Sequence, residues 1–190
     1  MPDALDLLLT RRSIPAVNLG DPGPDAEQLR RLLTIGARVP DHGKLAPWRF
    51  IVFQGDARTE AGEALCALRL AREPDLDAAQ QEQERTRLSR APLVIGVVST
   101  ASQHAKIPVW EQELSAGAVC MNLATAAHAL GFVSQWLTEW YAHDAEAAAL
   151  LGLRDGERFA GFIHIGTPKE PPFERPRPDI DALTTHWSKD

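Results

Sequence analysis

The chain has 190 residues, 44% of them hydrophobic and 24% charged, with 20 Lys and Arg against 26 Asp and Glu. That length suits one compact domain with a substantial core, and the balance excludes a disordered, collagenous or coiled-coil chain. The formal charge of −6 repels nucleic-acid phosphates and anionic lipid, so neither is an expected partner. Cys66 and Cys120 stand far apart in apolar stretches, without the spacing of a zinc site or redox pair, and are expected as buried free thiols. No run approaches the ~20 apolar residues of a membrane span. The expectation is a cytoplasmic protein with a single domain over 1–190.

Asp3 predicts the start of a first helix that places Leu5, Leu8 and Leu9 on one face and runs toward Arg11-Arg12-Ser13. After the turn cluster Gly20 to Pro24, Asp25 and Gln28 form a capping-box pattern ahead of a second helix that ends by Pro40. The loop from Asp41 to Pro47 delivers His42 just before a strand over 48–53. A helix over 57–71 and a polar helix over 75–90 with a solvated face come next. Leu93 to Ser99 is apolar on both faces and predicts a central strand. From Glu111 to Leu130 small apolar residues run all round a helix, which predicts burial in the chain or against a second subunit. A strand over 132–137, a short helix over 144–151 and a last strand over 157–165 follow, with Gly166-Thr167-Pro168 as its stop. Beyond Lys169 the proline-rich tail (169–190) is expected to hold neither helix nor central strand and to dock through Phe173 and Trp187.

The search for chemistry begins with exclusions. The chain contains no phosphate loop of the GxxxxGK[ST] type, no GxGxxG, no HExxH and no GxSxG. Its six histidines are dispersed, and His128 and His164 lie in apolar segments where hydrogen-bonded core imidazoles are expected, so no metal site is predicted. Arg11-Arg12-Ser13 offers two guanidinium forks and a hydroxyl suited to a phosphate monoester, or simply favourable charge at a helix C-terminus. Arg38, Asp41 and His42 add donors beside an aromatic strand, or make a capped helix and a turn. Glu111 and Glu113 open the apolar helix, where helix-dipole stabilisation accounts for them and neither is assigned as a general base.

These segments meet in one resemblance. Arg11-Arg12-Ser13, Arg38 to His42, Ala46 to Phe50, Pro108 to Gly117, Gly131-Phe132 and Gly161-Phe162 with Gly166-Thr167-Pro168 resemble, in order, the FMN-dependent nitroreductase family. The likeness is closest to its compact YdjA-like branch and extends from about residue 3 to 168. The resemblance implies an α+β fold with a mainly antiparallel central sheet flanked by helices, in an intertwined homodimer with FMN at the subunit interface. The strand and helix alternation alone would suggest a parallel sheet. By position, Arg11, Arg12 and Ser13 would hold the FMN phosphate and ribityl chain, Arg38 and His42 would reach the same flavin from the other subunit, and Trp136, Leu137 and Thr138 match a further flavin-contacting segment. Ala126 to Gly131 matches a segment assigned to nicotinamide nucleotides, although it also reads as core.

Three departures from the family pattern stand out. Ile14-Pro15-Ala16 replaces a basic residue that usually follows the triplet, for which Lys169, Arg175 or Arg177 are candidate substitutes. Gly43 and Ala46 stand near the family's Asn and Gln, and Leu137 replaces an Arg. The implied activity is ping-pong hydride transfer from NAD(P)H through FMN to a nitro compound, quinone or enone, with the cofactor carrying the chemistry and no dedicated acid-base residue. The alternatives are a non-catalytic flavin-storage protein, which would bind FMN and not react with NAD(P)H, and a colourless helical interaction module.

Overall fold

The computed structural model describes residues 3–189. Five strands, β1 (Leu19–Gly20), β2 (Trp48–Gln54), β3 (Leu93–Ser99), β4 (Val133–Leu137) and β5 (Arg158–Pro168), form one sheet in the order β1-β5-β3-β2, with β4 also paired to β5. Every pairing is antiparallel, as the resemblance implied and the alternation alone did not. The connections explain the directions. Two helices, α3 (Ala57–Arg72) and α4 (Ala78–Arg85), separate β2 from β3, and this pair packs together and returns the chain to reverse beside its predecessor. The single long helix α5 (Val109–Ala129) separates β3 from β4, which therefore run the same way, both opposed to β5.

Side-chain alternation along β3 and β5 divides the core. Leu93, Ile95 and Val97 with Ile163 and Ile165 face α5, where Val119, Cys120, Leu123 and Ala127 meet them together with Leu32 of α2 (Ala26–Gly36). Val94, Val98 and Phe162 point the other way, into Leu65, Leu88 and Tyr141. All seven β3 residues are buried, as expected of a central strand. At about 1.5–3 kcal/mol for each fully buried large aliphatic side chain, these two layers dominate the stabilisation. The Asp25 and Gln28 capping box forms as its spacing predicted. Both cysteines are free and buried, and burial pushes the Cys120 thiol up to about 12.

Four expectations change. The polar helix is shorter than 75–90: α4 opens on a second capping box, Asp77 with Gln80, and ends at Arg85, after which turns let Arg87 and Arg90 reach Glu139. Its face is not wholly solvated, since Glu84 is buried against Arg87 and the Trp140 indole. β5 does not stop at Gly166 but continues to Pro168, because β1 supplies Leu19 and Gly20 as partners, and a proline is tolerated at a strand's last position. The tail holds a single helical turn, Ile180–Leu183, capped by Asp179 once the prolines have ended. Its Phe173 and Trp187 are exposed on the single chain. The leucine face of α1 (Ala4–Thr10) is likewise uncovered, with Leu5, Leu8 and Leu9 all exposed. Among the described residues no helix is long and apolar enough to cross a membrane.

Candidate functional site

The first group of expected residues lies where α1 runs into the sheet. Asp3 caps α1 by accepting from the Leu5 amide at 2.9 Å, and Arg11 ends it. Ser13 then forms an isolated bridge to Ser134, with the Ile14 amide donating to the Ser134 carbonyl at 3.1 Å, so the triplet is laid against the start of β4. His128, near the end of α5, has Nε2 2.9 Å from the Arg12 carbonyl oxygen and Nδ1 2.8 Å from that of Ala124. The Arg12 guanidinium lies 5.1 Å over the Phe173 ring, and its buried Nη1 has no hydrogen-bond partner. Arg11 has no acidic partner among the described residues, and burial with the nearby Arg177 charge holds its pKa below the usual arginine value. The Ser13 hydroxyl is exposed. A buried guanidinium nitrogen without an acceptor is costly unless an anion supplies one, so this corner fits the phosphate of FMN.

The second group shares β4 with the first. Trp136 pairs with Ile163 across the sheet, and its indole folds over Gly161 to donate to the Ala160 carbonyl at 3.1 Å. A Cβ at Gly161 would sit 1.9 Å from the indole nitrogen, so glycine there makes room for the ring. Leu137 is half-buried, and Thr138 is exposed at the strand's end. The structure thus lays Ser13, with Arg11 and Arg12 just before it, beside Ser134 at the start of β4, and carries Trp136, Leu137 and Thr138 at the other end of that strand. Of the three candidate substitutes for the missing basic residue, Arg177 is the one beside the triplet, at 3.5 Å from the Arg11 carbonyl oxygen, while Lys169 donates to the Val17 carbonyl at 2.8 Å.

Arg38 and His42 lie in the segment between α2 and β2, which packs against a different stretch of the same long helix. The Asn122 amide of α5 donates to the carbonyls of Ile35 at 2.6 Å and Arg38 at 3.2 Å, and the Ser115 hydroxyl donates to that of Pro40 at 2.6 Å. His42 Nδ1 is 2.6 Å from a Glu111 carboxylate oxygen. The loop carrying it takes left-handed backbone at Gly43, Lys44 and Ala46, with φ of 72°, 57° and 47°. The Asp41 carboxylate stabilises that loop by accepting from the amides of Leu45 at 3.1 Å and Ala46 at 2.8 Å. At a rise of about 1.5 Å per residue, the His128 and Glu111 anchor points are about 26 Å apart along α5. One chain therefore does not close His42 onto the triplet. Two cavities, of about 420 Å³ and 630 Å³, contain none of the eight expected flavin residues.

Between the two groups α5 presents an uncovered apolar stripe through Trp110, Leu114 and Met121. Ala126 and Ala127, in the segment matched to nicotinamide binding, are core residues instead, and Gly131 alone in 126–131 is fully outward. His164 is a core imidazole as expected but lacks hydrogen bonds at both ring nitrogens, and burial with the Arg90 charge pushes it down to about 3. Sequence reasoning missed three features: the Glu111–His42 pair, the His128 link to Arg12 and the Asp41 brace. Only Asp41, a turn-forming residue type beside glycine, carried a local signal.

The Nitroreductase family model matches residues 8–167. YdjA of Escherichia coli (strain K12), named as an inferred NAD(P)H nitroreductase, is 37% identical over 167 residues, which covers 88% of this chain and 89% of its own. The solved nitroreductase-like family protein of Bacillus cereus superposes with a TM-score of 0.81 at 19% identity, over 98% of this chain and 97% of its own. A nitroreductase with bound FMN from Bacteroides fragilis superposes with a TM-score of 0.71 at 19% identity, over 99% and 100%. The two solved structures speak for the fold alone. The span of the family match and the level of identity to YdjA speak for descent, and the chain belongs to the nitroreductase family.

Proposed function

We propose that the chain is an FMN-dependent NAD(P)H oxidoreductase that works as a homodimer, each flavin held between two subunits. The observation that carries the reading is the unpartnered Arg12 Nη1 beside Arg11 and the Ser13 hydroxyl, a donor set for a phosphate monoester at the foot of β4. FMN held there would supply the redox chemistry for hydride transfer from NAD(P)H to an electron-poor acceptor such as a nitro compound, quinone or enone.

The chain's own residues bind and orient. Arg11, Arg12 and Ser13 fix the phosphate and ribityl end, and Trp136, Leu137 and Thr138 line the approach to the ring system. Arg38 and His42 would come from the second subunit, where the Arg38 guanidinium, like the Arg11-Arg12 pair, would place positive charge beside the flavin. The exposed stripe on α5 and the leucine face of α1 supply the apolar surface for that association.

The test is the visible spectrum of protein purified without added flavin, followed by anaerobic titration with NADH and NADPH. The expected result is a yellow protein whose oxidised-flavin bands bleach with one or both donors. A colourless protein that fails to take up FMN overturns the reading. A yellow protein inert to both donors replaces it with flavin storage.

A further inference from the structure

We propose that His128 is a positioning residue for the phosphate-binding triplet and that its protonation is coupled to FMN binding. The inference rests on Arg11-Arg12-Ser13 as the phosphate site. Both ring nitrogens of His128 face main-chain carbonyl oxygens, Nδ1 toward Ala124 at 2.8 Å and Nε2 toward Arg12 at 2.9 Å. A carbonyl oxygen only accepts, and a neutral imidazole carries one N–H, so either neutral tautomer leaves one nitrogen lone pair facing an oxygen. Only the imidazolium satisfies both contacts, and in that form it ties the peptide that presents Ser13 to the end of α5.

Two forces oppose that form in the free protein. Burial disfavours the charge, and the Arg11 guanidinium repels it, so the ring titrates below the ordinary histidine value. The other elements around the ring do not change this balance. β3 and β4 carry no ionisable side chain, and His164 of β5 points from the opposite face of the sheet. The charges of α1 and α2 (Asp6, Glu27, Arg30 and Arg31), Arg158 of β5, Arg12 itself, and Glu174 and Arg177 of the tail do not act appreciably on the ring, which leaves Arg11.

A phosphate dianion bound between Arg11 and Arg12 cancels the repulsion that Arg11 exerts, and so favours the protonated ring. Linkage makes the effect reciprocal: a proton on His128 tightens the phosphate. FMN affinity therefore rises as the pH falls through the range in which the ring titrates.

The experiment dilutes FMN-loaded protein and follows released flavin fluorescence at equilibrium between about pH 5.5 and 8, for wild type, His128→Gln and His128→Asn. Both amides keep a donor and neither titrates. FMN protonates near pH 6 itself, so the readout is the difference between wild type and variants. The expected result is affinity within about twofold at the alkaline end, with a gain on acidification about threefold or more larger in wild type, the effect of a half-unit shift. Riboflavin, which lacks the phosphate, is expected to show no such difference. Superimposable pH profiles for wild type and both variants, with Arg12→Gln still weakening FMN, overturn the coupling alone. Wild-type affinity in Arg12→Gln overturns the triplet as the phosphate site and the coupling with it.

Discussion

A mixed dimer separates a site built between subunits from one built within a chain. Arg12→Ala removes a buried, unpartnered guanidinium nitrogen from the phosphate corner, and losing a charge-assisted hydrogen bond costs about 1.5–3 kcal/mol, or about 10- to 150-fold in Kd. His42→Ala removes a donor anchored at Glu111, about 26 Å along α5 from the triplet's anchor at His128. Each variant alone forms homodimers in which both sites carry one lesion. When the two chains are co-expressed with different tags and the mixed dimer is purified, one site carries both lesions and the other carries none. The expected titration is biphasic, with one FMN per two chains at wild-type affinity and the second site weaker than in either homodimer. FMN fluorescence quenching against chain concentration reads both phases. A monophasic titration at the weakened affinity of the homodimers refutes the intersubunit assignment, because a site contained in one chain meets one lesion everywhere.

Three further outcomes follow from the geometry. Arg49 donates to both Glu157 oxygens and holds that carboxyl near a pKa of about 2, while at Glu84 burial pushes upward but Arg87 and the Trp140 indole outweigh it. Both folded values lie below the unfolded one, so their stabilisation is present above about pH 4.5 and is lost as the pH falls toward 2; the urea midpoint should drop over that window and drop less in Glu157→Gln. Ala46→Gly relieves a non-glycine residue at φ 47° and is expected to raise stability by up to about 1 kcal/mol, net of the entropy glycine costs; a lower urea midpoint contradicts the strained loop. Leu114→Glu, on the uncovered stripe of α5, should give a folded monomer that has lost FMN, and light scattering that still finds a dimer excludes that stripe as the seam.

The elements were legible because their signals are local. The Asp25 and Gln28 capping box, the doubly apolar run of β3 and the glycine after α5 each depend on neighbours a few residues away, and each forms where the pattern put it. Strand direction was not local: it depends on whether one helix or a pair joins two strands, and a polar segment such as 75–90 does not declare that it packs back on α3. The end of β5 shows the same limit, since Gly166 to Pro168 reads as a stop until β1 supplies a partner from the other end of the chain.

The sequence names candidate site residues but not where the fold puts them, and the reason lies in what holds those segments. α5 carries the contacts that place both halves, and most of them end on main-chain carbonyls: Arg12 from His128, Ile35 and Arg38 from Asn122, Pro40 from Ser115. A carbonyl is the same at every residue, so it leaves no mark at positions 12, 38 or 40 that a motif can record. The donors on α5 do leave a mark, Ser115, Asn122 and His128 being among the few polar side chains of a largely apolar helix. Their spacing follows the path of the segments they hold, which is why a helix that reads as apolar around its circumference is buried on one side, polar where it grips the site segments, and open along the stripe through Trp110, Leu114 and Met121.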